Sequence, residues 1–246
     1  MRNKNDYIVS PKENNNSINS DKKYTIILFS ESYGYRMKNH GAVQLTKING
    51  RPLIDHQINA IRSTFSNFKI LLSCGFESNR IWRHIKSKFS KLDISLIENP
   101  LFKTTNSCES IRLALMSTGC ENVLLCSSSN IFEKKHLDQL NYVKNSTIYQ
   151  NVENNKSDLK IFKERVYCSK IDFGVGDQSW IEMVYLSGKK SVEDLFSIID
   201  SEDYKNKFLF EALNKFTIKN SIEAHENKHK EIIKLDSALK LKGLKK

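Results

Sequence analysis

A chain of 246 residues with 39% hydrophobic and 10% aromatic content can bury one sizeable core or two small ones. No apolar run approaches the roughly 20 residues that cross a bilayer, which excludes a spanning helix. The five cysteines (Cys74, Cys108, Cys120, Cys126, Cys168) are odd in number and match no zinc spacing, which argues against a disulfide framework and a zinc finger alike.

The formal charge of +11 is unevenly spread. Residues 80–91 carry Arg80, Arg83, Lys86, Lys88 and Lys91 with no acid, and the tail from Glu226 to Lys246 is lysine-rich. Both stretches read as solvated faces. Nucleic acid, an anionic membrane or a nucleotide phosphate is the alternative partner, but Trp82 and Phe89 in the first stretch and no aromatic in the tail are too few for the stacking surface of a single-strand binder. Cysteines inside apolar runs read as buried thiols in a reducing, cytoplasmic setting.

In chain order, residues 1–23 are too polar to build a core and lack an apolar leader, so a mobile arm is expected there. Tyr24–Phe29 has the composition of a buried parallel strand. After a Ser/Gly/Tyr loop, Pro52 opens a helix with Leu53, Ile54, Ile58 and Ile61 on one face. A strand over 69–74, a turn at Gly75, a helix over 78–89, a strand over 94–97, a helix over 106–117 and a strand over 122–126 follow. This alternation predicts a doubly wound α/β sheet.

The second half is less regular. Strands are expected over 147–151, 159–162, 166–169 and 181–187, helices over 191–199 and 202–216, and a last strand over 231–235 before a short basic helix. No linker separates the halves. The expected organisation is one domain over 24–246, a regular half (24–140) followed by a less regular one (141–246).

Two stretches carry motifs. The first is Tyr33-Gly34-Tyr35-Arg36-Met37-Lys38, then Gly41-Ala42-Val43-Gln44-Leu45-Thr46-Lys47-Ile48-Asn49-Gly50-Arg51-Pro52-Leu53-Ile54; the second is Gly75-Phe76-Glu77, then Asn99-Pro100 with Thr105-Asn106-Ser107 and Ser110. Their order and spacing resemble the sugar-nucleotidyltransferase-like family, in particular MobA-like and choline-phosphate-cytidylyltransferase-like proteins, a group that bacteriophages also encode. That family reads A-A-G-x-G-x-R-M, P-K-x-L, I-N-G-K-P-L-I and N-P…T-N-x-x-S. The resemblance implies a Rossmann-like, GT-A-type nucleotidyltransferase fold with a mixed sheet.

It also implies that 24–140 is the nucleotide-binding half and 141–246 the acceptor-side half, and which residues would act. Gly34, Arg36, Asn106 and Ser107 map to nucleotide-binding positions, with Arg36 the candidate catalytic cation. In the family, backbone N–H groups of the glycine-rich loop cradle the triphosphate. Acidic residues after the fourth strand and near the C-terminus hold magnesium. Here Asp236, in Glu231-Ile232-Ile233-Lys234-Leu235-Asp236, maps to the second of those acids.

At other positions the chain departs from the pattern. Phe29-Ser30-Glu31 replaces A-A-G, and Glu31 would repel a phosphate. Ala42-Val43 replaces P-K, so Val43 stands where the phosphate-binding lysine belongs, and Ser129 stands where G-D-x-x-F has its metal-binding aspartate. Asn106, Ser107 and Ser110 equally suit the capped first turn of a helix. Glu211 resembles a late acidic position of the family, and also suits a surface helix. His225 and His229 lie four apart but among Lys and Glu near the end of the chain, and a metal site is not expected there.

The expected function is a degenerate pseudoenzyme that uses no cofactor and acts by binding a protein partner or as a structural component, in the cytoplasm or, if phage-encoded, in a virion. The alternative is an active cytidylyl- or guanylyltransferase acting on a phospho-sugar or phosphocholine-like acceptor. It would use Mg²⁺ with CTP or GTP, through Arg36, Lys38 or Lys47, and Asp236. A glycosyltransferase of related fold lacks its D-x-D pair here.

Overall fold

The computed structural model describes residues 18–30, 41–117, 119–152 and 159–235. Strand β1 (Tyr24–Phe29) is followed, after a 3₁₀ turn at Val43–Leu45, by the short strands β2 (Lys47–Ile48) and β3 (Arg51–Pro52) and helix α1 (Leu53–Thr64). Then come β4 (Phe68–Cys74), α2 (Ser78–Lys88), β5 (Ile94–Glu98), α3 (Ser107–Met116), β6 (Asn122–Ser127), β7 (Asn130–Ile131) and α4 (Lys134–Leu137). The second half holds β8 (Ser146–Asn151), β9 (Leu159–Glu164), β10 (Tyr167–Phe173), β11 (Gln178–Ser187), α5 (Gly188–Ile199), α6 (Leu209–Phe216), β12 (Glu223–Glu226) and β13 (Ile233–Lys234).

One nine-stranded mixed sheet runs through both halves in the order β5-β4-β1-β6-β11-β8-β12-β10-β9. The first four strands are parallel; β11 joins antiparallel to β6, so the expected mixed α/β sheet is what the sequence folds into. In β1, Ile26 and Leu28 face one core and Ile27 and Phe29 the other. Apolar residues on both faces are what a strand covered by helices on both sides requires. Helices α1, α2 and α4 cover one face, through Ile54, Ile58, Ile81, Ile85 and Leu137. Helices α3, α5 and α6 cover the other, through Ile111, Ala114, Leu195 and Leu213.

Several expectations are corrected. The arm expected over 1–23 lies outside the described residues only as far as residue 17; Ile18 packs on the core and the Asn19 amide donates to Tyr24 Oη at 3.1 Å. The single helix expected over 202–216 is a 3₁₀ turn at Glu202–Tyr204 and then α6. The helix breaks because the Lys205 and Lys207 carbonyls accept from the Asn106 and Cys108 amides at the start of α3. Strand β12, Glu-Ala-His-Glu, has no apolar alternation and was not expected, yet it pairs parallel with β8. The strand expected over 231–235 pairs only at Ile233–Lys234, and the basic helix after it lies outside the described residues.

All five cysteines are buried free thiols. Burial pushes the Cys74, Cys108 and Cys168 thiols up to about 12. Thiols held that far above neutral pH are unreactive core residues. Among the described residues, no helix is long and apolar enough to cross a membrane.

His136 ties the site's closing segment to the core. It is buried, its Nδ1 accepts from the Glu133 amide at 2.8 Å, and its Nε2 lies 2.9 Å from the Lys230 carbonyl. This pair of contacts suits the neutral ring with the proton on Nε2. Burial is the main cause that lowers its pKa below the ordinary 6.5, and burial lowers that of His225 likewise. A base with a depressed folded pKa takes up its proton more readily in the unfolded chain. Its stabilisation is therefore complete above the ordinary imidazole value and drains away as pH falls below it. Urea unfolding should show lower stability at about pH 5 than at neutrality. His136→Gln, which cannot titrate, should lose less over the same interval; an identical loss would remove His136 as a source.

Candidate functional site

In open α/β sheets ligands bind beyond the carboxyl ends of the parallel strands, where the strand order reverses. Here β4 and β5 lie on one side of β1 and β6 on the other, so the reversal falls between β1 and β6. The chain after β1 and the β6–β7 turn face each other there. The Ser128 amide donates to the Phe29 carbonyl at 2.8 Å, and Ser30 donates to the Ser73 carbonyl through its amide (3.0 Å) and hydroxyl (2.9 Å).

The motif segments are held in place by identifiable contacts. Asn49 and Gly50 have φ of 49° and 78°, so Ile48-Asn49-Gly50-Arg51 is an Asn-Gly hairpin turn joining β2 to β3. Gly75 has no room for a Cβ, which would lie 2.4 Å from the Phe102 ring. Beyond it, Glu77 adopts φ of 54° and accepts from the Ala42 amide at 3.0 Å and from Arg80 Nη1 at 2.6 Å. The Ala42 hydrogen bond is the first cause that lowers the Glu77 pKa. The Gly-Phe-Glu turn thus anchors the return of the loop that follows β1.

Asn99 plays a parallel role at the end of β5. It is buried, donates to Thr105 Oγ1 at 3.0 Å and Ser110 Oγ at 3.2 Å, and accepts from the Leu101 amide at 3.0 Å. The side chains of N-P…T-N-x-x-S therefore close the connection into α3. Asn106 donates to the Asn206 carbonyl at 2.7 Å, and Ser107 Oγ accepts from the Leu209 amide at 2.8 Å. Both nucleotide-binding candidates described here are engaged with the segment that leads into α6.

The two positions where charge is expected lie near each other and carry none. Val43 packs with Ile131 against a small apolar cluster of Ile48, Leu53 and Leu235. Its neighbour Gln44 donates from Nε2 to Ser128 Oγ at 2.9 Å, joining the loop after β1 to the β6–β7 turn through neutral groups. Ser129 follows, half-buried, and its carbonyl accepts from the Leu235 amide at 2.9 Å. Gln57 donates to the Ser127 and Asn130 carbonyls at 3.2 and 2.8 Å, and Asn130 Nδ2 donates to the Ile181 carbonyl.

Strand β13 pairs with β7, Lys234 opposite Asn130. The closing segment thus reaches the β6–β7 turn, one residue short of Asp236. Glu31, Gly34, Arg36, Lys38 and Asp236 lie outside the described residues. Lys47 is exposed on β2, its backbone opposite Pro52. Among the described residues no group of three His, Cys, Asp or Glu side chains is placed to hold a metal ion. His225 lies 3.8 Å from Glu223, and Glu211 pairs with Lys207 at 3.0 Å.

The structure adds groups that the motifs did not point to. Glu182 is buried in β11 with φ of 53°, at a bulge between Trp180 and Val184, and pairs with Lys234. Bulges of this kind re-aim a side chain beside a site. A lone acid inside Trp180-Ile181-Glu182-Met183-Val184-Tyr185 was the available signal. Trp180 and Glu182 line a small apolar cavity with Phe29, Ser107, Leu159 and Phe208. On α2, the basic face is partly neutralised: Arg80 by Glu77, and Lys88 by the fully buried Asp55, which also meets His84 at 2.6 Å.

This architecture is that of known nucleotidyltransferases. The CTP:phosphocholine cytidylyltransferase from Streptococcus pneumoniae superposes with a TM-score of 0.71 at 15% identity, over 90% of this chain and 97% of that one. The inositol-1-phosphate CTP transferase from T. maritima gives 0.71 at 12% identity over 90% and 94%, and the nucleoside-diphosphate-sugar pyrophosphorylase from Vibrio cholerae 0.68 at 10% over 89% and 98%. No protein-family model and no curated protein sequence matches the chain. At such identities the likeness is one of fold: the chain has the Rossmann-like nucleotidyltransferase fold at full domain length.

Proposed function

We propose that this protein keeps the nucleotidyltransferase scaffold without magnesium-dependent nucleotidyl transfer, and acts by binding a partner protein or as a structural component. One observation carries the reading. The loop after β1 and the β6–β7 turn meet through Val43 in an apolar cluster and through the neutral pair Gln44–Ser128. In the family that the sequence resembles, the motifs put a phosphate-binding lysine at position 43 and a metal-binding aspartate at position 129. Neutral groups supply neither the charge that balances a triphosphate nor a ligand set for magnesium. Electrostatic contacts of that kind are each worth about 3 kcal/mol in a transition state, so losing two together removes several kcal/mol.

A second observation supports the same reading. Asn106 and Ser107, which map to nucleotide-binding positions of the resembled family, reach across to the start of α6: Asn106 Nδ2 donates to the Asn206 carbonyl and Ser107 Oγ accepts from the Leu209 amide, while Asn106 Oδ1 is buried without a partner among the described residues. The test is calorimetric titration of the full chain with CTP and with GTP in the presence of Mg²⁺. No saturable heat is expected; micromolar, magnesium-dependent binding of either nucleotide would overturn the proposal.

A further inference from the structure

The closing segment, residues 227–235, runs from the end of β12 to the β6–β7 turn. At its far end Leu235 is fully buried beside Ile48 and Leu53, and its amide donates to the Ser129 carbonyl at 2.9 Å. Strand β13 adds a pairing of two residues with β7, and Lys234 pairs with Glu182. Ile232 is buried too, and its amide and carbonyl both meet the Gln150 side chain at 2.9 Å. Between Ile232 and β12, residues 228–231 are exposed. This stretch is tied down through Gln139, which accepts from the Lys228 amide at 2.8 Å, and through the His136 ring, whose Nε2 lies 2.9 Å from the Lys230 carbonyl.

The ring makes this tie as a neutral group. Its Nδ1 accepts from the Glu133 amide at 2.8 Å, and a proton on Nδ1 would set two N–H groups against each other. The surrounding charges do not compensate. Lys135 on α4 and His229 on the closing segment oppose a charge on the ring, the His229 centroid 6.2 Å away. Glu133 favours one, but Lys135 already meets that carboxylate at 3.0 Å and Lys230 acts on it as well. A buried imidazolium regains water when one of its neighbours moves away. On the α4 side Leu137 and Leu140 are fully buried in the core, so the exposed stretch 228–231 is the side that yields. A segment held by a two-residue pairing and side-chain contacts opens at a smaller cost than the sheet beneath it.

We propose that His136 is a pH-sensitive latch: its protonation releases the closing segment locally, with the sheet intact, and uncovers Val43, Ile48 and Leu53 at the junction beyond β1 and β6. The sign follows from linkage. Closure and a proton on Nδ1 exclude each other, and burial holds the ring's pKa below the ordinary 6.5. The closed form is therefore favoured in full above that value, and the open form gains as pH falls below it. The device is independent of whether the junction binds a nucleotide.

The experiment is native-state hydrogen exchange of the full chain, followed by NMR at pH 7 and pH 5 and corrected for intrinsic exchange rates. The probes are the Ile232 and Leu235 amides, with β1 and β6 as the reference. At pH 5 the two amides should exchange through an opening less costly than that of β1 and β6, and barely accelerated by low urea, the marks of a local event. That opening should be about threefold or more populated at pH 5 than at pH 7. His136→Gln keeps a donor and an acceptor but does not titrate, and should lose most of the pH response. If that variant folds poorly, the His136 ring and the Leu235 amide of wild type serve instead, and should titrate with one shared midpoint. The latch is refuted if the two amides exchange only together with β1 and β6, or if their opening does not respond to pH. It is equally refuted if His136→Gln responds as wild type does, or if ring and amide titrate apart.

Discussion

Asn99→Ala should destabilise the protein by about 3 kcal/mol, since it removes three hydrogen bonds from a buried position and leaves their partners to find others. The site demands this residue type. Its amide donates to two hydroxyls while its oxygen takes a backbone N–H, a combination neither Asp nor Leu reproduces. Denaturant unfolding measures the loss through the midpoint at unchanged slope. If stability were unchanged, Asn99 would be retained for something other than the fold, and a ligand contact would be the first alternative to examine.

The double substitution Val43→Lys with Ser129→Asp should confer magnesium-dependent binding of CTP or GTP, which the proposed function does not expect of wild type. The loop carrying residue 43 and the turn carrying residue 129 are already joined by Gln44 and Ser128, so the new charges would enter a preassembled junction. Val43 is only half-buried, and a lysine there can lay its stem on Ile48 and Leu53 while its ammonium reaches solvent or phosphate. A gain of about tenfold or more in affinity with Mg²⁺ over EDTA is expected. Failure of the folded double variant to bind would mean that more than these two charges has been lost, and would turn attention to Glu31 in the preceding loop.

Much of the scaffold was legible from residue order alone. Strands such as Tyr24–Phe29 and Asn122–Ser127 are short apolar runs, and α1 and α3 carry helical periodicity that tertiary packing reinforces. The Asn49-Gly50 pair and the cramped Gly75 are backbone requirements that few other residues meet, which is why those motifs remain visible at low identity. The second half was harder to read for physical reasons. Strand β12 gains its place by pairing with β8 rather than by apolar alternation, and the helix expected across 202–216 breaks because its carbonyls serve α3.

The candidate site was legible mainly as departures from a motif. Val43 and Ser129 were identifiable because a motif assigns charge to their positions; the structure adds that one packs into an apolar cluster and the other lies beside the neutral Gln44–Ser128 link. Glu182 belongs to no motif, and Lys234 lies inside the closing Glu231–Asp236 segment without being one of its matched positions. Each is a charged residue in or beside an apolar stretch, which marks it only once pairing shows what surrounds it.

The central claim is that the scaffold persists while its metal and phosphate chemistry does not. The most direct measurement is the heat of CTP and GTP binding to the full chain, titrated once with Mg²⁺ and once with EDTA. The account predicts no magnesium-dependent binding of either nucleotide in wild type, and its appearance in the Val43→Lys, Ser129→Asp protein. Micromolar, magnesium-dependent binding by wild type would contradict it.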